Sequence, residues 1–226
     1  EGTDKMDALQ ISEVVARLGA QLRTGANLDY SFVSLSALKE NMDESLEIYA
    51  DVILKPAFPA DELERLKNLS ISAIKREKTN PMSTALRVFP RLLYDAGHPY
   101  SMPLTGSGTE ESVAEISRED LLDYHTDGFN PRNATMIVVG DITLDQIQSK
   151  LERLFSGWGG KNISEKAPTE VALPNRPRVF LIDRPDSEQS TVIVGHLIPP
   201  KSNDKEIAVQ TMNDILGGSF VSRINL

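Results

Sequence analysis

Residues 62–78 read ELERLKNLSISAIKREK. Charged side chains crowd both ends, whereas the middle turn holds only Leu69, Ser70, Ile71, Ser72, Ala73 and Ile74. Pro56 and Pro59 break the chain before this stretch, and Asn80-Pro81 closes it. Asp61 and Glu62 fall in the first turn, where carboxylates suit exposed N–H groups and the positive end of the dipole. The stretch therefore predicts an amphipathic helix with no acid in its middle.

The segments around it alternate in kind. Upstream, Met6, Leu9, Ile11, Val14, Val15 and Leu18 recur at helical spacing over Asp4–Leu18, and Gly19 stops that helix. Two short extended runs around Gly25-Ala26-Asn27 predict a hairpin. Asn41-Met42-Asp43-Glu44 opens a helix that runs to about Leu54. Downstream, Leu86, Val88, Phe89, Leu92 and Leu93 form the apolar face of another helix, followed by the loop AGHPYSMPLTGSGTEES. A helix from Ser117 through Tyr124 precedes NATMIVVGDI, a β-branched run that reads as a strand. Leu144–Phe155 is again helical. Residues 156–177 have the Gly, Pro and polar content of a linker. Beyond them, RVFLIDRP and STVIVGHLIP read as strands, and a helix spans about Asp204–Leu216 before Gly217-Gly218.

This order predicts an α+β fold with mostly antiparallel sheets flanked by helices. It divides into a domain at 1–155, a linker at 156–177 and the beginning of a second α+β domain at 178–226. The 49 residues of that last part are few for an independent core, so the second unit is expected to continue beyond Leu226.

Composition narrows the function. The 226 residues carry a net charge of -9, which argues against nucleic acid or an anionic membrane as the main partner. No apolar run approaches the roughly 20 residues needed to cross a bilayer. No basic-then-apolar leader opens the segment, which is expected to be soluble. Cysteine is absent, which removes disulfides, thiolate zinc sites and a Cys nucleophile.

Candidate chemistry is sparse. Gly106-Ser107-Gly108 lacks the Lys and preceding strand of a phosphate loop, and Gly217-Gly218 follows a helix instead of opening one. The three histidines, His98, His125 and His196, stand far apart and form neither H-E-x-x-H nor H-x-x-E-H. The acid pairs Asp61-Glu62, Glu110-Glu111 and Glu119-Asp120 each fall at a predicted helix start, where capping explains them better than acid–base catalysis. Ser107 and Ser219 have no adjacent base. Residue chemistry alone assembles no catalytic group.

The order of segments resembles the pitrilysin/insulinase family of inverted-motif zinc peptidases. The matching features are Gly2-Thr3, Leu18-Gly19 before a strand, and the Leu46–Leu54 helix running into Pro56-Ala57-Phe58. Further on, GHPYSMPLTGSGTEES, FNPRNATMIVVGDI and LGGSFVSRINL look like that family's later landmarks. The resemblance implies a processing-peptidase-like fold of repeated α+β domains, paired as two halves of a shell around a peptide chamber.

It also implies where the metal should be. In active members an H-x-x-E-H helix precedes the segment that begins here at Glu1, and a Glu on the helix matching Glu62–Lys78 completes the zinc site. Aligning Leu63-Glu64-Arg65 with the family's similar start puts that ligand at Ala73, or at Ile74 in the next register. Glu77 lies one turn beyond Ala73 and Glu64 about two and a half turns before it, a displacement that zinc–oxygen distances of about 2.0–2.2 Å do not tolerate. No catalytic and no metal residue is therefore expected in this chain, and no cofactor of its own; zinc would belong to an active partner or half.

Active members bind substrate as an added strand along the hairpin's first strand. Here that edge would be Gln21, Arg23, Gly25 and Ala26, with Arg23-Thr24-Gly25 in place of the family's usual Asn-Ala-aromatic. The substrate-holding Arg and Tyr fall, by resemblance, beyond Leu226. The expected function is a non-catalytic domain or subunit that pairs with a zinc-bearing pitrilysin-type half and helps enclose peptides. The alternatives are an active zinc endopeptidase whose metal helix lies upstream, and a scaffold subunit of a membrane complex. Expected partners are the catalytic half and peptides, without nucleic acid or membrane insertion; the family's lean members point to a bacterial periplasm or cell envelope.

Overall fold

The structure, a computed structural model, describes residues 2–94, 96–160, 171–172, 176–185 and 187–225. The chain divides into two units, Glu1–Val171 and Ala172–Leu226. The architecture is α+β: among the described residues, eight α-helices accompany one two-stranded antiparallel sheet.

In the first unit, helix α1 spans Ala8–Arg17. It starts later than its apolar spacing suggests, because Asp7 takes the cap. Its carboxylate accepts from the Gln10 N–H at 2.8 Å, and the Gln10 side chain accepts from the Asp7 N–H at 3.0 Å. Gly2 bridges to Asp7 and Thr3 to Pro56, so the preceding residues are extended. Gly19, at φ +61°, turns the chain into strand β1.

Strands β1 (Gln21–Ala26) and β2 (Ser31–Ser36) pair from Gln21↔Ser36 to Ala26↔Ser31. The hairpin is as expected, and Gly25 and Ala26 lie within β1, on the strand whose edge they were expected to form. Asn27 decides this. Its side-chain oxygen accepts from the N–H groups of Asp29 and Tyr30 at 2.8 and 2.9 Å, so the reversal starts there.

Helix α2 (Met42–Leu54) packs against β2 of this hairpin and shares a buried cluster with α1. Leu18, Ala20 and Ile48 form a buried cluster, flanked by Val14, Val15, Leu22, Leu35 and Val52. The Asn41 side chain donates to the Leu18 carbonyl at 3.0 Å and joins the ends of α1 and α2.

Helix α3 (Ala60–Thr79) runs directly into α4 (Pro81–Leu93). Asn80 ends the first and caps the second, its side chain accepting from the Ser83 N–H at 2.9 Å. Pro81 occupies the first helical position, where its missing N–H costs nothing. Pro90 lies inside α4 and cannot donate to the carbonyl four residues before it. That carbonyl, Leu86, accepts instead from the Leu104 N–H at 3.2 Å. A helix defect thus anchors the loop at 103–109.

Helices α5 (Glu110–Glu115), α6 (Arg118–Gly128) and α7 (Leu144–Phe155) complete the unit. The acid pairs 61–62, 110–111 and 119–120 each sit in a helix's first turn, and Asp120 closes a capping box with Ser117. Val113 of α5 is buried, and α5 packs on α3.

The run NATMIVVGDI departs from expectation. Residues 134–139 form no ladder, and Ile137 and Val139 are 83% and 93% exposed. β-Branched residues favour extended backbone, but strand hydrogen bonds require a neighbouring strand, and none of the described residues supplies one.

In the second unit, residues 178–184 and 190–199 behave alike: no strand forms, and Val179, Leu181 and Val194 are 95%, 95% and 90% exposed. Both expected strands are absent there for the same reason. Helix α8 (Glu206–Asn213) continues as a π-helical turn, Asp214–Gly218. The chain then folds back, with Arg223 and Ile224 donating backbone N–H groups to the Ile215 and Leu216 carbonyls at 3.0 and 2.9 Å. Most of the expected linker, including 161–170 and 173–175, lies outside the described residues.

Candidate functional site

The middle of α3 presents two faces. Ile74 is fully buried, which favours the folded state by about 1.5–3 kcal/mol relative to an exposed side chain. Leu66, Leu69, Ser70 and Ala73 follow i, i+3, i+4, i+7 spacing and share another face. On it Leu66 and Leu69 are 38% and 54% exposed, and Ala73 is half-buried. A methyl group offers no lone pair, so Ala73 cannot ligate a metal. Ser72 turns inward on its own helix, its hydroxyl donating to the Asn68 carbonyl at 2.8 Å.

Both nearby carboxylates on this helix have other partners. Glu64 pairs with Lys67 at 3.0 Å, and Lys67 also donates to the Ile116 carbonyl at 3.0 Å. Glu77 accepts from Arg87 at 2.7 Å, from Ser107 at 2.8 Å and from Thr105 at 3.2 Å. Partial burial opposes its charge, but the Ser107, Arg87 and Thr105 hydrogen bonds outweigh that and hold its carboxyl below the usual range. Arg87 reaches further, donating to Ser107 Oγ and the Gly108 carbonyl, both at 2.6 Å. A carboxylate so stabilised is a weak base and a poor candidate for activating Ser107. The cluster ties the 103–109 loop to α3 and α4.

This cluster escaped sequence reading because its members are separated by 10 to 30 residues. The one local signal was a Pro within an apolar helical face, which marks a carbonyl free to bind elsewhere.

The histidines are accounted for separately. His98 caps the short 3₁₀ turn at Pro99–Ser101, its Nδ1 accepting from the Tyr100 N–H at 3.1 Å, and its ring stacks on Tyr94. His125 Nε2 lies 2.7 Å from the Ile53 carbonyl. A carbonyl only accepts, so Nε2 carries the proton there and satisfies one of the last carbonyls of α2. His196 is exposed in the second unit. Among the described residues no three His, Asp or Glu side chains converge to hold a metal ion. These residues do not fit the zinc site that the family's active members carry.

Of the expected strand edge, Gln21, Arg23, Gly25 and Ala26 all lie on β1, whose ladder is made with β2. Arg23 donates to the Gln21 side chain at 3.0 Å along the strand. Phe32 covers Gly25 so closely that a Cβ there would lie 2.6 Å from the ring. Strand β1 carries no aromatic side chain of its own, and the Phe32 ring of β2 leaves no room for one at Gly25.

Comparisons with known proteins agree with this architecture. Residues 1–101 match the family described as insulinase (peptidase family M16), and residues 115–226 match the peptidase M16 inactive domain. An uncharacterized zinc protease, YmxG, of Bacillus subtilis is 25% identical over 99% of this chain and 53% of its own length. A Helicobacter pylori relative, 22% identical over 99% of this chain and 51% of its own, is named non-peptidase homolog YmxG. The crystal structure of a peptidase M16 inactive domain from Pseudomonas fluorescens superposes with a TM-score of 0.80 at 25% identity, over 100% of this chain and 54% of that one. The chain spans about half the length of the curated relatives it matches. With two models of one family matching in order along its length, and the fold agreeing, the chain belongs to the peptidase M16 (insulinase) family.

Proposed function

We propose that this chain is a non-catalytic M16 domain that pairs with a zinc-bearing half and helps enclose peptides. The observation that carries the reading is Ala73. The resemblance aligns this position with the family's third zinc ligand, and it bears only a methyl group. The carboxylates on either side are committed to Lys67 and to Arg87 with Ser107. The name non-peptidase homolog, given to the Helicobacter relative, supports it independently.

Pairing is supported by the exposed β-branched runs. Residues 136–139, 179–182 and 192–194 leave large apolar side chains in solvent. Burial against another polypeptide is one way such exposed apolar side chains are covered. In this reading the domain boundaries are 1–155 and 178–226, and the β1 edge at Gln21, Arg23, Gly25 and Ala26 faces the peptide chamber. The backbone of that edge can still add a strand despite Arg23-Thr24-Gly25.

The test uses the purified chain alone and mixed with an H-x-x-E-H-bearing M16 half. Peptide cleavage is expected only in the mixture, with a complex seen by analytical ultracentrifugation. Zinc-dependent cleavage by the chain alone overturns the reading in favour of the second one. That second reading, an active zinc endopeptidase, draws on the Bacillus relative's name, zinc protease.

A further inference from the structure

We infer that a cleft in the first unit, remote in sequence from α3, binds small apolar carboxylates. The cleft has a volume of about 740 Å³, within the roughly 300–1,000 Å³ typical of small-molecule sites. It is formed where the C-terminal half of α2 meets α6, α7 and the residues following α7. None of its lining belongs to the hairpin edge or to the middle of α3.

Part of the lining is apolar and aromatic. Leu54, Phe129 and Trp158 supply it. Their polar atoms are already used: the Trp158 indole N–H donates to the Phe129 carbonyl at 3.0 Å, and His125 holds the Ile53 carbonyl. The side chains of Leu54, Phe129 and Trp158 therefore offer surface for an apolar body.

The rim is ionic, and it is unbalanced. Lys5 pairs with Asp51 at 2.7 Å, and Arg153 lies 4.0 Å from Glu47. Lys55 also lines the cleft, and its ammonium forms no ion pair among the described residues. Three cations, Lys5, Lys55 and Arg153, against two anions, Glu47 and Asp51, leave the rim with one net positive charge. The whole chain carries -9, so this is a local reversal of sign. An anion on an apolar body meets both features: its charge is held at Lys55 and its hydrocarbon lies on Leu54, Phe129 and Trp158. The C-terminal residue of a peptide and a free aliphatic acid share this chemistry.

Trp158 is the sole tryptophan, so its emission reports the cleft directly. The chain is titrated with acetyl-Ala-Ala-Leu bearing a free carboxylate, with the same peptide amidated, and with 4-methylpentanoate. A saturable change in Trp158 emission with the acidic peptide is expected, together with binding about tenfold weaker for the amide. Lys55→Ala is expected to bring the acid's affinity down to that of the amide, with an unchanged circular dichroism spectrum. Binding of 4-methylpentanoate as tight as the acidic peptide assigns the site to free acids; tighter peptide binding assigns it to peptide ends. No saturable change with either acid, equal binding of acid and amide, or an unaffected Lys55→Ala variant each overturns the inference. None of these outcomes depends on whether the chain is catalytic.

Discussion

The Leu104 N–H donates to the Leu86 carbonyl at 3.2 Å, in the place that an N–H at residue 90 would fill in an unbroken helix. Pro90 makes this possible by removing the helical donor. Replacing Pro90 with Ala restores an N–H that competes for the Leu86 carbonyl. Hydrogen exchange at the Leu104 amide is expected to accelerate in Pro90→Ala, while exchange in α3 stays unchanged. Equal protection of Leu104 in both proteins contradicts the anchoring role.

Arg87 and Glu77 secure the same loop by charge. Their side chains are only 10% and 21% exposed, so removing one partner leaves the other poorly solvated. Arg87→Ala is expected to lower unfolding stability by about 1–3 kcal/mol, read from urea denaturation.

The Glu77 carboxyl titrates lower in the folded chain than in the unfolded one. Its contribution is therefore complete above the unfolded value of about 4.3 and is lost as pH falls through the folded one. Glu77→Gln is expected to flatten the stability profile in that acidic window relative to the parent. An identical slope in both proteins between about pH 5 and pH 3 refutes the assignment.

Much of this organisation was legible in the sequence, and its failures share a cause. Helices α2, α3 and α4 follow their apolar spacing and their Pro or Asn boundaries, and α7 its apolar spacing after the Thr143 cap, all of them local properties. The hairpin was readable as well, and within Gly25-Ala26-Asn27 it is Asn27 that starts the reversal, its side chain accepting from the Asp29 and Tyr30 N–H groups. Residues 134–139 have strand composition without a strand, since a ladder is a property of two segments and composition describes one. The same holds for the site. Ala73 acquires meaning only against related sequences, whereas the Glu77–Arg87–Ser107 cluster is a tertiary contact across two elements and a loop.

The exposed run offers a way to separate folding from pairing. Ile137 is 83% exposed, so Ile137→Lys is expected to change the stability of the isolated chain by less than about 0.5 kcal/mol. The same substitution is expected to weaken association with a zinc-bearing half in sedimentation experiments. A large loss of stability in the isolated chain, or unimpaired association, contradicts the role given to this run.

Ala73→Glu restores a carboxylate at the position aligned with the family's metal ligand. Because no His, Asp or Glu cluster stands ready among the described residues, the variant is expected to remain without tight zinc binding by isothermal titration. Micromolar or tighter affinity in the variant would show that further ligands exist within this chain.

The most direct measurement is the zinc content of the unaltered chain, purified after exposure to zinc and exhaustive dialysis, together with its activity on a fluorogenic peptide. Far less than one zinc per chain and no hydrolysis are expected. Stoichiometric zinc with hydrolysis that a chelator abolishes would contradict the account.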